Sequence, residues 1–253
     1  MSGVVCDLDG VVYRGRTAIP GADKALRALE EAGHSLLFLT NNSARPPEYV
    51  AEKLATVVGY RATREQVITS ALAAAGMIEA GPVLIMGELG IEQAVRARGW
   101  ELTDDPSAAA TVVVGLDRGL SYERVAAAAD AVRMGARLIV TNRDPTFPIE
   151  GGLKPGAGAC AAAVETAAGV VGETAGKPSP ALRAFVEERI PEGTIWMIGD
   201  RADTDIALAS GERWRSILVL TGVTEPDSEP SHRPDAVVAD LPAAARLILD
   251  ESV

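Results

Sequence analysis

The sequence predicts an α/β protein in which a parallel sheet wound with helices is interrupted by a second α/β unit. Three observations carry this prediction. Short apolar runs alternate with helix-period segments over residues 1–71. The alternation restarts over residues 72–173, and it returns from residue 174 onward. The expected organisation is a discontinuous core, residues 1–71 and 174–253, with residues 72–173 as an insertion.

Taken in order, the chain opens on Val4-Val5-Cys6-Asp7-Leu8-Asp9-Gly10-Val11-Val12. An apolar run stopped by glycine reads as a buried strand, with Asp7 and Asp9 at its C-terminal end. The period of two starts both carboxylates on the same side of that strand. Beyond Gly21, residues Ala25, Leu26, Leu29 and Ala32 recur at helical spacing, and Gly33 ends the helix. Residues 35–39 form the next apolar strand, which runs into Thr40-Asn41-Asn42-Ser43. Pro46-Pro47 opens a helix to about residue 58, and residues 67–69 are a short third strand.

In the middle, residues 83–86, 111–114 and 137–141 read as strands, and residues 91–98 and 121–134 as the helices between them. A turn-rich loop is expected over residues 142–158, then an alanine-rich helix over about 159–168. The last third reads as helix 181–189, strand 194–198, Gly199-Asp200, helix 204–210 and strand 216–220. A loose Pro/Ser/Glu-rich loop, a short strand and a closing helix finish the chain.

Composition narrows the function classes. The apolar fraction of 47% and charged fraction of 23% are those of an ordinary globular chain. Lysine and arginine number 24 against 35 acidic residues, and the net charge of −11 argues against a nucleic-acid or anionic-membrane partner. No apolar run reaches the roughly 18 residues of a membrane span. Cys6 and Cys160 stand alone, without a disulfide framework or C-x-x-C, and the expected location is the cytoplasm.

Four places carry groups suited to phosphoryl transfer. They are the Asp7/Asp9 pair, Thr40-Asn41 after the second strand, Lys177 between glycine and proline, and Asp200 with Asp205 after Gly199. Each has a plainer reading alone: an acidic strand end, a turn, a solvated lysine, two acids at a helix start. Jointly they offer an oxygen nucleophile, a proton donor, oxygen ligands for a hard cation and a positive charge for phosphate. Three of the four follow apolar strands, whose C-terminal ends converge on one edge of a parallel sheet.

These residues resemble the haloacid dehalogenase (HAD) superfamily of phosphatases over nearly the whole chain. Asp7-Leu8-Asp9-Gly10-Val11 is similar to its first motif, Thr40-Asn41 to the second, Lys177 to the third, and Gly199-Asp200 through Asp205 to the fourth. The long insertion between second and third motifs is similar to the C2-type α/β cap of the NagD/4-nitrophenylphosphatase-like subgroup, subfamily IIA. So are Asn142-Arg143-Asp144-Pro145 and Lys154-Pro155-Gly156-Ala157-Gly158.

The resemblance implies a Rossmann-like core and hydrolysis of small phosphate monoesters through an aspartyl phosphate. Asp7 would be the nucleophile and Asp9 the general acid and base. Mg²⁺ would be held by Asp7, the Asp9 backbone carbonyl and Asp200, with Asp205 behind it. Thr40, Asn41 and Lys177 would bind the phosphoryl group, and Arg143 and Asp144 would act in substrate choice. Caps of this type often carry a homodimer contact. A phosphotransferase of the same chemistry, or an idle protein that only binds a phosphorylated metabolite, is the alternative.

Two decoys fail on context. Gly156 to Ala161 fits G-x-G-x-x-A but follows a proline-containing loop instead of a strand. Gly172 to Pro178 is one residue short of a P-loop and has proline where a hydroxyl should ligate metal. His34 and His232 lie outside every motif and are expected at the surface.

Overall fold

The structure is a computed structural model that describes residues 2–149, 152–222 and 232–251. In chain order it begins β1 (Gly3–Asp7), β2 (Tyr13–Arg14), β3 (Thr17–Ala18), α1 (Ala22–Glu31), β4 (Ser35–Thr40), α2 (Pro47–Lys53) and β5 (Val67–Thr69). The middle is α3 (Ser70–Gly76), β6 (Val83–Met86), α4 (Leu89–Ala97), β7 (Thr111–Val114), α5 (Tyr122–Arg133), β8 (Arg137–Val140), β9 (Thr146–Ile149), β10 (Gly152–Pro155), α6 (Ala157–Ala168) and β11 (Glu173–Thr174). It closes with α7 (Pro180–Glu187), β12 (Ile195–Gly199), β13 (Trp214–Val219), β14 (Ala236–Val238) and α8 (Leu241–Glu251).

These elements form two compact units, Met1–Thr40 with Glu48–Ile68 and Arg183–Val253, and Asn41–Pro47 with Thr69–Leu182. The first holds a six-stranded sheet in the order β14-β13-β12-β1-β4-β5. β1 lies parallel between β4 and β12, the register running through Val5 opposite both Leu37 and Met197. Its residues are all buried, which is why it reads as a continuous apolar run instead of an alternating one. From β1 the chain builds outward through β4 and β5, then returns on the other side of β1 with β12. That reversal makes the C-terminal ends of β1 and β12 a topological switch point, where the loops diverge and leave a crevice.

Helix α1 buries Ala22, Ala25, Leu26 and Leu29, its apolar stripe, and packs beside α8. Phe38 on β4 is fully buried against Tyr60, ring centroids 5.6 Å apart and tilted at 58°. The second unit has a parallel sheet in the order β11-β8-β7-β6. Leu84, Met86, Val112, Val114, Leu138 and Val140 line its core against Ala128, Ala131, Cys160 and Val164 of α5 and α6. The fold is therefore the α/β class the sequence predicts.

Three local expectations are corrected, and three short strands are added. The loop expected over 142–158 contains an antiparallel hairpin, with Lys154 opposite Phe147 and Pro155 opposite Thr146. Prolines at 145, 148 and 155 hide it, because proline is excluded from sheet interiors but tolerated in a two-stranded edge ribbon. The helix expected over 204–210 starts instead as a wide π-turn at Ala202–Ile206. The strands β2, β3 and β11 are two residues long, below what an apolar pattern can register. His34 is buried, 6% exposed, at the start of β4, whereas His232 is exposed as expected. Burial lowers the His34 imidazole below its ordinary range, so it sits neutral.

Most of the loose loop read before Pro234 lies outside the described residues. Among the described residues, no helix is long and apolar enough to cross a membrane.

Truncating Phe38 to alanine should remove both its burial and its ring contact with Tyr60. The expected loss is about 3–5 kcal/mol, read by urea unfolding. A loss below about 1 kcal/mol, the range of tolerated swaps, would show that this ring does not anchor the sheet.

Candidate active site

Asp7 is the last residue of β1, and Asp200 follows the last residue of β12, its neighbour at the switch point. Asp205 reaches the same place from the π-turn. Ligand oxygens of Asp7, Asp200 and Asp205 lie within 4.8 Å of one another, and all three residues are buried. The turn is bent by Asp205 itself. Its Oδ2 accepts the backbone N–H groups of Asp200 and Arg201, each at 3.1 Å, as a capping carboxylate does.

Backbone without side chains closes the cluster. A Cβ on Gly10 would sit 2.6 Å from Asp200 Oδ2, and one on Gly222 only 1.8 Å from it. A Cβ on Gly199 would fall 2.1 Å from that of Asp205. Gly10 also has φ +92°, the left-handed region that glycine enters without strain.

Three buried carboxylates this close repel one another unless a cation lies among them. An all-oxygen, anionic donor set suits a hard divalent ion of the Mg²⁺ class and not a thiol- or imidazole-seeking metal. The residues present thus fit magnesium. Cys6, beside Asp7, adds no nucleophile: burial first, and the Asp7 charge second, push its thiol up to about 12, so it stays neutral.

Asp9 stands apart from this cluster in environment. β1 ends at Asp7, and Asp9 pairs with Tyr13 in an isolated bridge. Its side chain is exposed, and Oδ1 accepts the Gly15 N–H at 3.3 Å. The same-side expectation from the strand period ends where the strand does. Tyr13 and Lys53, which sequence reasoning missed, accompany it. Lys53 Nζ lies 3.7 Å from the centroid of the Tyr13 ring. Burial lowers the Lys53 ammonium, against the pull of the Asp9 carboxylate. No motif marks Lys53, a helix-end lysine of the kind most often found in solvent.

Thr40 is buried at the C-terminal end of β4. Asn41 and Lys177 belong to the second unit, where they meet each other: Asn41 Oδ1 accepts the Lys177 backbone N–H at 2.9 Å. Lys177 is buried, 4% exposed, which the solvated-lysine reading does not survive. The Asn41 amide is occupied within its own unit, because Nδ2 donates to Asp144 Oδ2 at 3.2 Å.

Arg143, expected to act in substrate choice, is bonded within its own unit. Its guanidinium donates to Thr174 Oγ1 (2.8 Å), to both Glu165 oxygens (3.2 and 2.9 Å) and to the Gly172 carbonyl (2.7 Å). These bonds engage all three guanidinium nitrogens, so it fastens the segment to α6 and β11. Burial alone would raise Glu165, but Arg143 and the Gly172 N–H outweigh it and hold the carboxylate below its ordinary range.

Comparison with known proteins agrees with this geometry. A haloacid dehalogenase-like hydrolase model matches residues 4–101, and a HAD-hydrolase-like model matches residues 174–244. The 5'-nucleotidase YutF of Bacillus subtilis is 36% identical, over 95% of this chain and 97% of its own length. The chain belongs to the haloacid dehalogenase-like hydrolases.

Among solved structures, the p-nitrophenyl phosphatase of Archaeoglobus fulgidus superposes with a TM-score of 0.90 at 28% identity, covering 97% of this chain and 98% of that one. The glycerol phosphate phosphatase of Mycobacterium tuberculosis, solved with magnesium, gives 0.87 at 37% identity over 95% of this chain and 75% of that one. This HAD-type enzyme is accordingly a magnesium-dependent phosphatase of small phosphate monoesters, in the branch of the nitrophenyl phosphatases and glycerol phosphate phosphatases.

Gly222→Ala should displace the Asp200 carboxylate while leaving the sheet intact. Mg²⁺ affinity, followed by titration calorimetry, is expected to fall about tenfold or more, the scale seen when groups supporting a metal ligand are disturbed. Unchanged affinity would mean that Asp200 does not bind the ion.

Proposed function

We propose that the phosphatase works through an aspartyl phosphate on Asp7. The observation that carries the reading is the convergence of Asp7, Asp200 and Asp205 within 4.8 Å at the switch point. Asp7, Asp200 and the Asp9 backbone carbonyl would hold Mg²⁺. When bound, it neutralises charge between an anionic attacker and an anionic phosphate.

An Asp7 oxygen attacks phosphorus, and the bond from phosphorus to the ester oxygen breaks. Asp9 gives its proton to the departing oxygen, releasing the alcohol. Asp9, now a carboxylate, takes a proton from water as that water attacks phosphorus. The bond to Asp7 then breaks, inorganic phosphate leaves, and both side chains return to their starting states. The exposure of Asp9 suits this part, since it must reach both leaving group and water. Asp205, bonded to the Asp200 and Arg201 backbone, keeps the metal ligand in place. Thr40 and Lys177 bind the phosphoryl group, with the insertion, residues 72–173, acting as the cap that sets specificity.

The substrates we propose are small phosphate monoesters of the sugar, glycerol and nucleotide kind, by analogy with the 5'-nucleotidase and glycerol phosphate phosphatase relatives. Pairing of copies through the second unit belongs to the same reading. That unit exposes Leu120, Tyr122, Met134 and Val171. Sedimentation should then give a dimer at micromolar concentration, and a monomer would reject the pairing.

Asp7→Asn should abolish turnover, because an amide is a poor nucleophile and a weak ligand. Asp9→Asn should cost kcat/KM on an alkyl phosphate much of the ~10²–10⁴-fold that acid catalysis contributes. The loss on 4-nitrophenyl phosphate should be far smaller, since nitrophenolate leaves without a proton. Equal losses on the two substrates would make Asp9 something other than the acid.

A further inference from the structure

We propose that Asn41 and Asp144 form a positioning chain for Lys177 and are not contacts to the substrate. The inference rests on the reading above that Lys177 carries charge for the phosphoryl group. It departs from that reading in giving Asn41 and Asp144 no part in binding phosphate or choosing leaving groups.

The bonds run in one direction. Asp144 Oδ2 accepts from Asn41 Nδ2 at 3.2 Å. An ionised carboxylate only accepts, so it dictates which end of the amide faces it. Oδ1 is thereby left to take the Lys177 backbone N–H at 2.9 Å, while Nδ2 also leans on the Lys177 carbonyl at 3.5 Å. The side chain of Asn41 thus grips both backbone groups of the residue it positions.

Its own main chain is held as firmly. The Asn41 carbonyl accepts from Ser70 Oγ and from Asn142 Nδ2, each at 2.6 Å. Asn142 Oδ1 in turn accepts the Asp144 N–H at 3.1 Å, so one short segment clamps the amide and the carbonyl of Asn41 together.

Small residues permit the approach. A Cβ on Gly176 would lie 2.6 Å from Asn41 Oδ1 and 2.5 Å from the Thr141 carbonyl. Cβ atoms on Gly156 and Gly158 would lie 2.3 Å from the Asp144 carbonyl and 2.4 Å from that of Arg143. The glycines of the apparent dinucleotide motif therefore serve to seat α6 against residues 143–144. Arg143, spent on Glu165, Thr174 and Gly172, fastens the far side of the same segment.

A lysine ammonium is a point charge on a flexible four-carbon stem. Fixing its backbone is one means of narrowing where that charge can be. Asn41 supplies the fixing, and Asp144 orients Asn41.

The test is kcat/KM on 4-nitrophenyl phosphate and on glycerol 3-phosphate at saturating Mg²⁺. It compares wild type, Asn41→Ala, Asp144→Ala, Lys177→Ala and the doubles with Lys177→Ala. Asn41→Ala is expected to lose about 10–100-fold, the scale of groups that support a working residue. Asp144→Ala should lose less, and each loss should be the same for both substrates. In the Lys177→Ala background both further losses should shrink to about one-fold, because the group they position is gone. Asp144→Asn keeps the shape and an acceptor oxygen, so it should recover most of the Asp144→Ala loss and guards against a folding artefact.

An Asn41→Ala loss undiminished without Lys177 would overturn the chain alone. So would a substrate ranking reordered by Asp144→Ala. Lys177→Ala without effect would remove the phosphoryl-binding reading, and the chain with it.

Discussion

Three negative side chains brought together out of water, Asp7, Asp200 and Asp205, are the constraint on which the rest of the first unit turns. Their mutual repulsion opposes folding, and burial strengthens it by lowering the local dielectric. The fold meets this with two devices. The Asp205 carboxylate is answered by two backbone N–H groups of the turn it bends, which spread part of its charge into the main chain. The remaining field is left for a divalent ion, and the Cβ-free backbone of Gly10 and Gly222 lets Asp200 stay where that ion needs it. A site arranged in this way is stabilised by its cofactor as well as activated by it.

The second unit solves a different problem with the same means. Its Asn41-Asn42-Ser43 segment is a turn, as Asn42 Oδ1 accepting the Ala44 N–H at 2.9 Å shows, but it is a turn made to be buried. Ser43 is 1% exposed and bonds Thr141 Oγ1 and the Leu116 N–H, while a Cβ on Gly90 would strike its carbonyl at 2.5 Å. Buried polar groups of this kind must all find partners. A segment so thoroughly bonded has few alternative conformations. That suits the part proposed for this stretch, holding Asn41 and through it Lys177.

Legibility in the sequence followed the length of the physical signal. Strands such as Val83–Met86 and Thr111–Val114 are continuous apolar runs because helices cover both faces of a parallel sheet, and their ends could be read to within a residue; β1 was read as reaching Asp9 but ends at Asp7. The acids at the ends of β1 and β12 were legible for the same reason: polar residues after a buried strand have no packing role there. What escaped depends on tertiary neighbours. The 146–155 hairpin is masked by its own prolines, and the burial of His34 reflects only where β4 begins. Arg143 looked available because sequence shows a charge but not its partners. Glu165 and Thr174 are 22 and 31 residues away. Lys53 over Tyr13 is a contact between a helix end and a hairpin that no spacing rule connects.

Net charge sharpens the division of labour. At −11 the net charge has the same sign as a phosphate dianion and supplies no long-range attraction to it. Attraction then has to be short-ranged, of the kind an ion among the three acids of the first unit supplies. Short-ranged attraction falls off within a few ångströms, which makes placement matter more than the number of charges. That is why so much structure serves so few groups. A sheet switch point and a π-turn hold the acids, and an asparagine gripped at both ends of its amide holds Lys177. In the function proposed above Asp9 exchanges a proton with the leaving oxygen and then with water, and its exposure beside a short hairpin suits that part.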